Sequence, residues 1–137
     1  MKRFLITLLL SVPLVAFGQA EIDLTKLPLV AHKPHVAING SHQRNVVSIT
    51  ELLKHGLQVV LDDNSFKVIQ FDIIYDCHSR SLFDFSVKRY IGDKVDPGDD
   101  YLQKRVLAGD VITIDNTVIE KKGVKFKMKD FGLIISN

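Results

Sequence analysis

The chain carries a single cysteine, no net charge of its own beyond its first residues, and no apolar run long enough to cross a membrane. Each shortage excludes something. Cys77 has no second cysteine to pair with, so the fold has no internal disulfide. No cysteine lies near residue 20, which excludes a lipid-anchored cysteine there. Cys77, between Asp76 and His78, reads as part of a polar loop. The formal charge of +2 equals Lys2 and Arg3, and beyond residue 20 basic and acidic residues balance. A balanced chain gives no charge argument for nucleic acid or anionic lipid. Catalytic motifs are also missing. There is no Gly-x-Ser-x-Gly elbow, Cys77 and His78 are neighbours whose side chains diverge in extended backbone, and the paired carboxylates sit in turns. The expectation is no catalytic residue, no cofactor and no enzyme.

What is present begins at the first residue. Lys2 and Arg3 precede an apolar run from Phe4 to Leu10 that continues to Phe17, broken only by Ser11 and Pro13, and Gly18 and Ala20 close it around Gln19. A positive start, a short apolar middle and small residues at minus three and minus one make a secretory signal peptide cut after Ala20. Roughly 14 apolar positions fall short of the ~20 of a spanning helix. The expected organisation is a signal peptide over 1–20, an extended lead-in over 21–33 and one domain over 34–137. The expected location is the periplasm, with no membrane span after cleavage and no lipid anchor.

Past the lead-in, Pro34 precedes a short strand, His35 to Ile38, stopped by the turn pair Asn39-Gly40. Ser48 and Glu51 form a capping box for a two-turn helix, Ile49 to His55, in which Ile49, Leu52 and Leu53 share a face and Gly56 ends the helix. Strands follow over Leu57 to Leu61 and Phe66 to Tyr75. The second puts Ile69, Phe71, Ile73 and Tyr75 on one face and Val68, Gln70 and Asp72 on the other. After a polar turn, Leu82 to Tyr90 alternates Phe83, Phe85 and Val87 against Asp84, Ser86 and Lys88, and completes an antiparallel hairpin.

A loop over 91–100 leads to a second short helix. Asp100 caps it, with Gln103 in the reciprocal position, and Gly109 ends it. Val111 to Ile119, Val124 to Met128 and Leu133 to Ser136 are further strands, with Lys122-Gly123 as a turn. Short strands with turns every 8–12 residues predict an all-β fold, an antiparallel immunoglobulin-like β-sandwich with two short helical turns.

Three clusters hold donor atoms. His32, His35 and His42 lie near the lead-in, but zinc needs three or four ligands and nothing nearby completes the set. Asp93, Asp96, Asp99 and Asp100 gather in one loop, without EF-hand spacing. Lys121, Lys122, Lys125, Lys127 and Lys129 form a basic ribbon, read as a solvated edge guard or an acidic partner's contact. No metal site is expected. A small-ligand or calcium-binding protein is the alternative to the reading below.

The segment Ser65 to Ile73, the block Leu107 to Asp115 with its Gly109-Asp110 turn, and the ending from Gly123 to Phe126 and on to Asn137 resemble the C-terminal domain of the gliding-motility protein GldM. The similarity runs from Pro34 to Asn137. It implies a free-standing copy of a periplasmic β-sandwich domain without catalytic residues, from the type IX secretion and gliding machinery of Bacteroidota. It also implies protein partners in the envelope and leaves a homo-oligomer open. The candidate contact residues are Asp93, Asp96 and Asp99 in the loop, Lys125 and Lys127 on the ribbon, and Leu133 and Ile135 in the last strand. Gly56, Gly109 and Asp110 are turn residues.

Overall fold

The computed structural model describes residues 21–31, 34–43, 45–76 and 85–137. Residues 1–20, on which the expected signal peptide falls, and His32, Cys77, His78, Leu82, Phe83 and Asp84 lie outside the described residues. Among the described residues, eleven strands and two α-helices follow one another. Strands β1 (Leu29–Val30), β2 (His35–Ile38), β3 (Ser41–Gln43) and β4 (Val46–Ser48) precede helix α1 (Ile49–His55). Then come β5 (Leu57–Val60), β6 (Lys67–Asp76), β7 (Phe85–Ile91), β8 (Lys94–Val95) and helix α2 (Asp100–Arg105). Strands β9 (Val111–Lys121), β10 (Val124–Met128) and β11 (Phe131–Ser136) complete it.

These strands form two sheets. The small one has the order β3-β2-β5-β8 and is antiparallel throughout. The large one has seven strands built around β9. One edge of β9 pairs with β6, which in turn carries β7. Its other edge is shared, β11 pairing with Val111–Ile114 and β10 with Val118–Lys121. Val36, Ile38, Leu57, Val59 and Val95 from the small sheet join Phe71, Ile73, Tyr75, Ile112, Ile114 and Leu133 from the large one in a single buried cluster. The all-β, two-sheet sandwich reading therefore holds. Its purely antiparallel character does not, because β1 runs parallel to β10 and β4 parallel to β11.

The lead-in is part of the fold rather than an appendage. Asp23 caps a 3-10 turn over Leu24–Lys26, and Leu29 and Val30 then add a strand to the large sheet. Helix α1 has the expected bounds, but Ser48 makes no side-chain cap hydrogen bond. Glu51 turns forward to His55, 3.4 Å away, instead of back to the cap. Gly56 is required where the chain leaves α1. Its φ is +69°, and an added Cβ would lie 2.0 Å from the Val95 carbonyl oxygen, so any side chain displaces β8.

Two irregularities in the central strands decide which side chains face where. Val68 pairs with Ile119, Gln70 with Val118 and Asp72 with Asp115. Strand β6 thus has an extra residue at Ile69, and β9 has one at Asn116–Thr117, where Asn116 takes a φ of +48°. Each bulge shifts the alternation by one. Val68, not Ile69, joins Phe71, Ile73 and Tyr75 in the core, which corrects the simple alternation read from the sequence.

Candidate functional site

The outer face of the large sheet, opposite the shared core, is the most unusual surface of the molecule. It is divided in two by a row of polar residues. Asp72 is 4% exposed at its side chain and takes a two-pronged salt bridge from Arg89, with Nε to Oδ1 at 2.8 Å and Nη2 to Oδ2 at 3.0 Å. The Asn116 side-chain amide donates to the same Oδ2 at 2.9 Å. The bulge that gives Asn116 its left-handed backbone is therefore also what brings its amide to the carboxylate. Hydrogen bonding to Asp72 holds the Arg89 guanidinium above its ordinary pKa. A planar guanidinium matched to a buried carboxylate fixes the register of β6 and β7.

On one side of this row the lead-in runs along the sheet. Lys127 donates its backbone N–H to the Pro28 carbonyl, and Glu21 and Ile22 sit beside Ile69, Gln70 and Arg89. Val118 and Gln70, paired on β9 and β6, are fully or nearly fully buried although they lie outside the core cluster.

On the other side nothing comparable is seen among the described residues. Val46 of β4 pairs with Ile134 of β11, and Ile134 with Val111 of β9. Ile74 of β6 pairs with Val87 of β7, and Phe85 lies two residues further along β7. Val46, Ile134, Val111 and Val87 are each about half exposed, and Phe85 is 62% exposed. The two rows are offset by one pair, since Ile74 meets Thr113 on β9, two residues from Val111, and together they span five strands, a width of about 19 Å at the usual strand spacing. Five half-exposed side chains leave on the order of 400 Å² of apolar surface, within the range of about 300–600 Å² where patches are often functional.

Strand β7 alternates as its pattern predicts, and its surroundings decide which face is buried. Phe85 and Val87 were expected on the face opposite Ser86 and Lys88, and they are, but it is their face that meets solvent. Helix α2 decides this by covering the other face with polar partners. The Ser86 hydroxyl lies 2.8 Å from the Tyr101 hydroxyl, Lys88 Nζ donates to Asp99 at 2.9 Å, and the Tyr90 hydroxyl donates to the same carboxylate at 2.9 Å. Tyr90 also stacks on Phe71 at 5.4 Å between ring centroids. Burial of Asp99 acts to raise its pKa, but hydrogen bonds from Lys88, the Leu102 N–H and Tyr90 outweigh it and hold the carboxyl below its ordinary value. Burial, then the bond to Asp99, pushes Tyr90 far above the usual phenol range. The far edge of β7 has no partner strand among the described residues.

The residues expected as contacts divide differently. Leu133 and Ile135 are 0% and 1% exposed, and β11 lies between β9 and β4, so the last strand is interior and its exposed member is Ile134. Asp99 caps α2 in place of Asp100, accepting from the Leu102 N–H. Asp93 accepts from Gln58 at 2.6 Å, and Asp100 pairs with Lys104 at 2.7 Å. Asp96 is exposed, and its carbonyl accepts from the Asp99 N–H. Most of the acidic loop is thus engaged by the protein itself, which leaves the calcium alternative without a geometric basis. Lys125 pairs with Glu120 at 3.4 Å, while Lys127 lies on the covered half, beside the lead-in. His35 and His42 do meet, Nε2 to Nδ1 at 2.9 Å, yet among the described residues no group of three His, Cys, Asp or Glu is arranged to hold a metal ion.

The turn residues sit as expected. Gly109, at φ +93°, donates to the Ile135 carbonyl, and buried Asp110 accepts from the Leu107 N–H at 2.7 Å and the Tyr75 hydroxyl at 2.9 Å. The second helix nevertheless ends at Val106 rather than at Gly109. Sequence reading missed Val46, Val87, Val111 and Ile134. The available signal was apolar residues alternating with other apolar residues in β11, where both faces of the strand are greasy.

No family model matches this chain, and no curated protein matches it at a significant score. Among the described residues no helix is long and apolar enough to cross a membrane.

Proposed function

We propose that this chain is an exported, non-catalytic protein-interaction module of the periplasm, and that the uncovered half of the large sheet's outer face is its contact surface. The carrying observation is the apolar stripe from Val46 through Ile134 and Val111 to Val87 and Phe85, exposed on a sheet whose other half is covered by its own chain. Burying on the order of 400 Å² of apolar surface is worth roughly 10 kcal/mol before the costs of association, enough to anchor a partner when those costs are met. The edge of β7 that has no partner strand among the described residues lies beside the stripe and offers backbone pairing to an incoming strand. The resemblance of Ser65 to Ile73 and Leu107 to Asp115 to the C-terminal domain of GldM supports a role beside the type IX secretion and gliding envelope machinery. The signal-peptide pattern of residues 1–20 supports export.

The test has two parts. N-terminal sequencing of the protein recovered from the periplasm is expected to begin at Glu21. Affinity capture from envelope extracts is expected to return one defined protein with the native chain and to lose it with the Val87→Asp, Ile134→Asp double variant. Retention of the full leader, or equal capture by both forms, contradicts the proposal.

A further inference from the structure

The covered half of the same face contains a groove of about 570 Å³. Its floor is the β6 bulge, Ile69 and Gln70. Arg89 and Ile91 of β7 form one wall, Lys125 of β10 the other, and Glu21 and Ile22 of the lead-in overhang it. This volume lies within the range of small-ligand and peptide sites. One feature of the floor asks for an occupant. Gln70 is 5% exposed, and its Nε2 is buried without a hydrogen-bond partner. A buried donor left unsatisfied is uncommon in folded proteins, and its usual explanation is a missing acceptor.

We infer that the groove binds an extended peptide segment with aliphatic side chains, and that the Gln70 amide turns its buried Nε2 out into the groove to donate to a backbone carbonyl of that segment. The walls carry both signs of polar group. Gln70, Arg89 and Lys125 offer donors and Glu21 an acceptor, which matches the alternating N–H and C=O of a peptide backbone. A fatty acid or a phosphate would present a single anionic head to a site where Asp72 and Glu120 already balance Arg89 and Lys125, and where Glu21 repels it. Ile22, Ile69 and Ile91 supply the apolar contacts; Ile91, 63% exposed, is the most open of them. The bulge shapes the site, since the extra residue at Ile69 takes that side chain out of the core row and into the groove lining beside Gln70. This groove lies across the polar row from the apolar stripe, so the inference does not rest on the stripe being a contact surface.

Nitrogen-15 NMR of the folded protein reads the site directly through the Gln70 side-chain amide. Titration with the capped pentapeptide acetyl-Ile-Lys-Val-Thr-Ile-amide is expected to shift that resonance saturably, and sodium decanoate is expected to bind about tenfold more weakly or not at all, the scale of a mismatched hydrogen-bonding head. Gln70→Leu keeps the face packed but removes the donor, and is expected to weaken the peptide about tenfold, the scale of one buried hydrogen bond. Ile91→Ser alters only an exposed wall and is expected to weaken it several-fold. A Gln70 amide that stays still, equal affinity for decanoate, or unchanged peptide affinity in both variants overturns the inference. Peptide-induced shifts confined to Val87 and Ile134 overturn it too, while leaving the proposed contact surface standing.

Discussion

The two halves of the large sheet's outer face share strands β6 and β9, yet they differ in what lies over them. Val118 on the covered half is 0% exposed; Val111, seven residues earlier on the same strand, is 49% exposed. Intrinsic hydrophobicity does not distinguish them. Among the described residues the difference is the lead-in, which runs along one half and whose Glu21 and Ile22 lie beside Arg89 of the polar row. The lesson is that an apolar sheet face in this molecule is neutral information until the segment that covers it is located.

Removing the cover breaks the comparison most directly. Deletion of residues 21–30 exposes Gln70, Val118 and the β10 edge, and is expected to cost about 3–5 kcal/mol from the lost burial of Ile22, Leu24, Leu27 and Val30. A urea midpoint shift with new dye binding is the readout. Next in size is the border. Asp72→Ala leaves Arg89 and Asn116 without their shared acceptor and is expected to cost about 2–3 kcal/mol, less than a fully buried pair because Arg89 still reaches water. Chemical denaturation measures it.

A smaller effect concerns what holds β7 with its apolar side outward. Asp99 has a folded pKa below its unfolded value of about 3.9, so its contribution is fully present above that value and is lost as pH falls through the lower folded pKa. Asp99→Asn preserves the cap but removes the charge paired with Lys88. It is expected to cost about 1 kcal/mol at pH 7, with the gap from the native chain closing as pH falls below the unfolded value and through the lowered folded one. Stability measured across that range in both forms tests the sign. Smallest of all, Val87→Thr on the open half is expected to change stability by less than about 0.5 kcal/mol, since the side chain already faces water.

Much of the architecture was legible because local chemistry specifies it. The Asn39-Gly40 and Lys122-Gly123 turns, at φ of +49°, +74°, +50° and +79°, and the bounds of α1 follow from residues that tolerate or demand particular backbone angles. What was not legible depends on partners distant in sequence. The alternation in β7 defines two faces, but which one is buried was decided by Tyr101 and Asp99 of α2. Bulges at Ile69 and Asn116 invert the expected facing of Ile69 and Val68 without a glycine to announce them. Strands β1 and β4 have two and three residues, too short for any period, and they are the two that run parallel to their neighbours. For the site, the apolar character of the last strand was visible from its sequence. Its interior position, which makes Ile134 the surface residue and Leu133 and Ile135 core, depended on both neighbours.

Site-specific photocrosslinking in the cell of origin separates the two halves most directly. A photoreactive residue at Val87 on the open half, compared with one at Lys127 on the covered half, is predicted to yield a discrete crosslinked protein from position 87 and none from position 127. Equal products from both positions, or none from position 87, would contradict the claim that the uncovered half of this sheet is where the molecule meets its partner.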